Sequence, residues 1–86
     1  MYAYINGKIV DKANNYVVID NGGIGYKIFM SPSVIEKLPD TGENLKVYTY
    51  YYVREDNIAL YGFLSNEELR MFELLLSVSG IGAKSA

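Results

Sequence analysis

The chain has 86 residues, half of them hydrophobic, with ten acidic and eight basic side chains and a net charge of −2. It contains neither cysteine nor histidine, which excludes disulfides, cysteine nucleophiles, Ser-His-Asp triads and most zinc sites. Such a length supports one small domain burying roughly 60–65% of its unfolded surface, and the acidic balance excludes the broad basic footprint of a strong nucleic-acid binder.

The opening, Met-Tyr-Ala-Tyr-Ile-Asn-Gly-Lys, has no charged region followed by an apolar run, and no stretch is long enough to span a bilayer. With the lack of cysteine, this fits a cytoplasmic protein that does not engage a membrane. Residues 2–10 read as a strand, with a bulge expected at Gly7. A polar turn, Asp11 to Asn15, leads to a second strand, Tyr16 to Asp20. Asn21-Gly22-Gly23 supplies the positive φ angles of a tight hairpin turn. The third strand follows, with Ile24, Tyr26, Ile28 and Met30 on one face and Gly25 marking a sharp bend.

Ser31 to Leu38 reads as a short helix, with Ser31 as its cap and Pro32 at its first position. Pro39-Asp40-Thr41-Gly42 turns the chain. Two strands then flank a charged tip. In the first, Val47, Thr49, Tyr51 and Val53 alternate with Tyr48, Tyr50 and Tyr52; in the second, Ile58, Leu60 and Gly62 alternate with Ala59, Tyr61 and Phe63. Five to six short strands with one small helix between the third and fourth predict a mainly β fold, a small OB-type antiparallel barrel over residues 1–64. From Ser65 the period changes. Ser65-Asn66-Glu67-Glu68 is a capping box, and Leu69, Phe72, Leu75 and Leu76 recur at helical spacing, with Met71 and Val78 flanking. This helix is expected to run to about Val78 and to stop at Ser79-Gly80. A second helix is expected to open at Ala83, so that residues 65–86 begin a helix-hairpin-helix domain of a longer protein.

Three features are candidates for function. In Gly80-Ile81-Gly82-Ala83-Lys84, two glycines and a plugging Ile81 leave the amides of Gly82, Ala83 and Lys84 at a helix N-terminus. That is a site for a phosphate, with the Lys84 charge beside it. The alternative is an ordinary glycine helix stop with a solvated lysine. The tip, Arg54-Glu55-Asp56-Asn57, is too charged to be core. A solvated turn is the commonest outcome for such a tip, and neighbouring strand positions point apart, against a metal site or a hydrolytic carboxylate pair. Arg54 is read as a counter-charge to the tip. The nine tyrosines either stack on single-stranded bases or, more commonly, line the barrel core or an interface. No Walker A loop or dinucleotide fingerprint is present, and no cofactor is expected.

Taken together, Gly22-Gly23-Ile24-Gly25-Tyr26, Val53-Arg54-Glu55-Asp56, Leu60-Tyr61-Gly62-Phe63, the capped helix and Gly80-Ile81-Gly82-Ala83-Lys84 resemble the RuvA family of bacterial Holliday-junction-binding proteins. The resemblance implies an N-terminal OB barrel and the start of a helix-hairpin-helix domain. It implies a homotetramer that holds four-way junction DNA, with a RuvB motor hydrolysing ATP and RuvC resolvase as a further partner. It carries Glu55 and Asp56 over as an acidic pin near the fourfold centre, and Gly80 to Lys84 as the DNA-backbone-binding hairpin; Arg54 receives no pin role. Two other readings stand beside it: a generic OB-fold binder of single strands, and an interaction barrel with no DNA role.

Overall fold

The computed structural model describes residues 2–77. Five strands, β1 (Tyr4–Lys12), β2 (Tyr16–Asn21), β3 (Ile24–Phe29), β4 (Asn44–Arg54) and β5 (Asn57–Phe63), close into a barrel in the order β1-β2-β3-β5-β4. A one-turn helix, α1 (Pro32–Ile35), lies between β3 and β4, and α2 (Asn66–Leu76) follows β5. This is the predicted OB-type arrangement with one difference: the closing pair, β3 with β5, is parallel and short, Ile28 opposite Leu60 and Phe29 opposite Tyr61. The other strand pairs are antiparallel.

Alternation fills the interior. Ile5 and Ile9 on β1, Val17 and Ile19 on β2, Ile28 on β3 and Val47 on β4 all point inward and are buried. Met30, Ile35 and Leu38 join the same cluster from the α1 region. Thr49 is the buried polar residue of this set, and its hydroxyl donates to the carbonyl of Tyr2 at 2.5 Å, which ties the N-terminal segment to β4. The core is therefore aliphatic, and none of the nine tyrosines is buried. Of the two places expected for most of them, the core or an interface, the core is ruled out. Tyr48, Tyr50 and Tyr52 fall on the outward phase of β4. Tyr26 and Tyr51 take the inward phase but lie beyond the aliphatic cluster, where Tyr2 packs edge-on against both at 5.8 and 5.7 Å.

The β2–β3 hairpin turns as expected. Asn21 pairs with Ile24, and Gly22 and Gly23 hold φ of 62° and 92°, values that only glycine adopts cheaply. The β1 bulge lies between Ile9 and Asp11 rather than at Gly7. Gly7 serves a close approach: a Cβ there would overlap the carbonyl oxygen of Asp20 on β2. Gly25 has ordinary φ and sits in regular pairing with Asp20, so no special bend needs it. The first helix is half its expected length. Ser31 occupies its cap position, but its hydroxyl meets that of Ser33 at 3.4 Å and caps no amide. The second helix is capped as read: the Ser65 hydroxyl oxygen accepts from the Glu68 amide at 3.2 Å. Only half of the box forms, because the Glu68 carboxylate meets the Ser65 hydroxyl at 3.4 Å rather than the backbone amide. Phe72 is the buried residue of α2 and packs on Tyr50, Tyr61 and Phe63 at 4.9–5.6 Å. The expected helix end at Val78 lies outside the described residues.

Candidate nucleic-acid interface

The β4–β5 hairpin outgrows its barrel. β1 pairs with β4 only from Asn44 to Tyr48, and β3 pairs with β5 only at Leu60 and Tyr61. The ladder between β4 and β5 nevertheless continues through Tyr51–Leu60, Tyr52–Ala59 and Val53–Ile58 to Arg54–Asn57. Among the described residues the outer half of the hairpin is thus a two-stranded arm with no third strand at either edge. Its turn is Glu55-Asp56, two residues rather than the expected four, and both keep negative φ, so the turn needs no glycine. Both carboxylates are exposed. The tip does not fold back onto the barrel.

Arg54, next to the tip, is engaged by Tyr52. Its Nε donates to the Tyr52 hydroxyl at 2.8 Å, and its guanidinium carbon lies 5.1 Å from the centre of the Tyr52 ring. A cation over an aromatic face is attracted by the ring quadrupole, so the arginine is held along the outer side of β4, one position back from the carboxylates. Tyr52 also packs edge-on against Tyr61 at 5.8 Å. Burial pushes the Tyr61 hydroxyl above its ordinary pKa, and the Tyr52 hydroxyl adds to the shift.

Directly behind the tip, on the opposite side of the arm, stands a feature that sequence reasoning missed. Val53 and Ile58 form a cross-strand pair, 55% and 63% exposed. Ile24, at the start of β3, is 58% exposed. β-Branched residues in a strand normally signal burial. Here their inward phase continues past the end of the barrel and reaches solvent. The length of the hairpin relative to its neighbours was the available signal.

A concavity lies elsewhere, between α1, β5 and α2. It is a groove of about 730 Å³ lined largely by apolar side chains, among them Met30, Val34, Phe63 and Leu75. Among the described residues Glu68 is its one charged lining residue, so these bring no acid–base pair together. Among the described residues, no group of three or more Asp, Glu, His or Cys side chains stands close enough to hold a metal ion. The candidate hairpin residues Gly80, Ile81, Gly82, Ala83 and Lys84 lie outside the described residues, so the structure brings only Glu55 and Asp56 of the expected site residues together.

A small OB-type barrel of five to six strands followed by a capped helix was the expectation. Comparison with known proteins decides it. The family model described as "RuvA N terminal domain" matches residues 1–62. The chain belongs to the RuvA N-terminal domain family. A Holliday junction branch migration complex subunit RuvA from Acetivibrio thermocellus is 54% identical over 86 residues, all of this chain and 43% of that protein. The subunits of the same name from Clostridium botulinum strains Loch Maree and Hall are each 55% identical over 86 residues, all of this chain and 44% of theirs. The chain thus spans less than half the length of the curated relatives it matches. The RuvA match includes the whole barrel apart from the last residue of β5, and with it the acidic tip.

Proposed function

We propose that this chain is the N-terminal part of a RuvA subunit that binds four-way DNA junctions without reading sequence. The observation that carries the proposal is the uncovered Glu55-Asp56 turn at the end of an arm that no other strand supports. Carboxylates repel phosphate, and a pair of them on a rigid projection acts where strands must be kept apart rather than where they are gripped. The grip falls to the second candidate, Gly80 to Lys84, whose amides and lysine suit a sugar-phosphate chain. An acidic protein can bind DNA on this division of labour: attraction at the hairpin, repulsion at the pin.

A pin works only if several copies converge, so the reading includes a homotetramer with the arms near its axis. Val53, Ile58 and Ile24 supply an apolar surface beside the tip on which copies can meet. The two domains divide at residues 64 and 65, where the barrel ends and the capped helix begins. Branch migration needs a motor. The chain holds no Walker A loop, so ATP hydrolysis belongs to a RuvB partner, with RuvC as a further partner at the junction. This subunit is itself non-catalytic and acts in the bacterial cytoplasm.

The test is a gel competition with the full-length protein, using a labelled four-way junction against linear duplex and single strands of the same sequence. Preferential retention of the junction is the expected result; displacement by equal amounts of single strand would remove the reading. In the same protein, Lys84→Ala should weaken binding evenly across sequences and lower the salt slope by about one unit. Gly82→Val should abolish junction binding; unchanged binding would favour an interaction barrel with no DNA role.

A further inference from the structure

We propose that the outer face of the β1–β4 pair is a contact site for unpaired DNA, separate from both the acidic tip and the hairpin. It goes beyond the junction reading and does not rest on it. The face is built by alternation. Ile5 and Ile9 point inward on β1, so Tyr4 and Lys8 point out; Val47 points inward on β4, so Lys46 and Tyr48 point out. Register then assembles them, with Tyr4 opposite Tyr48 and Lys8 opposite Asn44. The Tyr4 and Tyr48 rings meet edge-to-face at 6.5 Å. The Lys46 ammonium sits 4.3 Å from the Tyr4 ring centre and 5.3 Å from that of Tyr48. Tyr4 is 54% exposed.

Charge singles this face out. The chain carries ten carboxylates, yet residues 4–10 and 44–54 contain none. Acids lie at its Lys8 end, where Asp20 on β2 stands opposite Lys8 with its carboxylate accepting from the Gly23 amide at 2.9 Å, and Asp11 and Glu43 flank the same end; the Tyr4, Lys46 and Tyr48 cluster stands at the other. A polyanion approaching the barrel therefore meets lysines and tyrosines here, where Coulomb attraction and ring surface act together. Rings clasped by a cation are the combination that binds single strands with little sequence preference, through backbone charge and base stacking. Spacing favours an unpaired strand over duplex. The Tyr4 and Tyr48 ring centres are 6.5 Å apart, about twice the roughly 3.4 Å rise between bases stacked in one strand of duplex. Bases lying on such a face must be unstacked from one another, which a duplex does not offer.

The experiment titrates the 86-residue chain into fluorescein-labelled oligothymidylate and follows anisotropy across a salt series. Lys46→Gln should weaken binding and reduce the salt slope by about 0.7. Tyr48→Leu should cost about five- to a hundred-fold in affinity, and Tyr48→Phe, which keeps the ring, should restore most of it. Lys37→Gln, an identical charge change at an exposed position after α1, should leave both affinity and slope unchanged. Circular dichroism confirms that each variant folds; Lys46 is exposed and carries the test should Tyr48→Leu unfold. Absence of oligothymidylate binding by the parent chain at low salt would overturn the proposal. So would equal losses in Lys37→Gln and Lys46→Gln, or displacement by linear duplex as effective as by single strand. Oligothymidylate has no branch point, so failure here leaves the junction competition standing, and the reverse.

Discussion

A methyl group at Gly62 would sit 2.5 Å from Ile28 Cγ2 and 2.6 Å from Val47 Cγ1, inside the contact distance of any two carbons. Gly62 is thus the place where β5 comes closest to the barrel interior, and the Ile28 and Val47 side chains occupy the volume a larger residue would need. Gly62→Ala should destabilise the fold by about 1–3 kcal/mol through overpacking. Gly7→Ala should cost more, because the obstructing atom is the Asp20 backbone carbonyl and cannot rotate away. Urea midpoints at fixed m-value check both. Tyr61 offers a pH test of the outer aromatic cluster. Its folded pKa lies above the ordinary value near 10, first through burial and then through Tyr52. The folded state therefore favours the neutral hydroxyl, and this contribution is complete below the unfolded pKa. It is lost as pH rises through the folded pKa, since the unfolded chain releases its proton earlier. The stability of the parent chain should consequently fall more steeply above about pH 10 than that of Tyr61→Phe; parallel curves from urea titrations would show that Tyr61 ionises alike in both states.

The two helices show why local signals were readable to different degrees. At α2, propensity, cap and apolar stripe agree, so its start at Ser65 and its buried Phe72 were legible. Ser65→Ala should cost about 1 kcal/mol, read as a shift in the thermal midpoint. Phe72→Ala should cost about 3–5 kcal/mol, because one ring touches Tyr50, Tyr61 and Phe63 together. α1 had a proline and a serine in the right places, yet only one turn forms. Its role is to deliver Ile35 and Leu38 to the core, and packing rather than capping decides where it ends. Strand phases were legible for the same physical reason as the core itself: Ile and Val alternate with polar or aromatic residues. The closing β3–β5 pair was not, because it joins strands separated by α1 and β4, and no local pattern records a non-local parallel contact. For the tyrosines the sequence left core and interface open; the core is excluded because the small barrel interior is already filled by Ile and Val. Of the candidate site, the carboxylate tip was legible because charges cannot be buried unpaired. The exposed Val53–Ile58 pair was not, since only the unequal lengths of β4 and its neighbours expose it.

At the scale of the whole molecule, the arm sets two forces against each other. Its apolar pair, Val53 with Ile58, gains by being covered, and Ile24 adds to the same exposed set. Glu55 and Asp56 lie one step beyond, both exposed, while Arg54 is engaged by the Tyr52 hydroxyl. Any assembly that buries the apolar pairs of several copies near one axis must also bring their carboxylates together. Hydrophobic contact is little affected by moderate salt, whereas repulsion between exposed charges is screened, with a Debye length of about 10 Å at 0.1 M. Self-association of the full-length protein through the arms should therefore tighten as salt rises from about 0.05 to 0.5 M. The double variant Glu55→Gln, Asp56→Asn should associate more tightly at low salt and lose most of that dependence. Val53→Ser with Ile58→Ser should shift the protein toward monomer at every salt concentration while leaving its circular dichroism unchanged, because both residues are exposed in the single chain. Sedimentation equilibrium across the salt series reads all three. Junction DNA adds phosphate to the same balance: the neutralised variant should bind a four-way junction as well as the parent or several-fold better. Its crossover strands should no longer be held apart, which base-analogue fluorescence at the branch point reports. A large loss of junction binding in that variant would mean that the tip attracts DNA or supports assembly, and the repulsive pin would have to be abandoned.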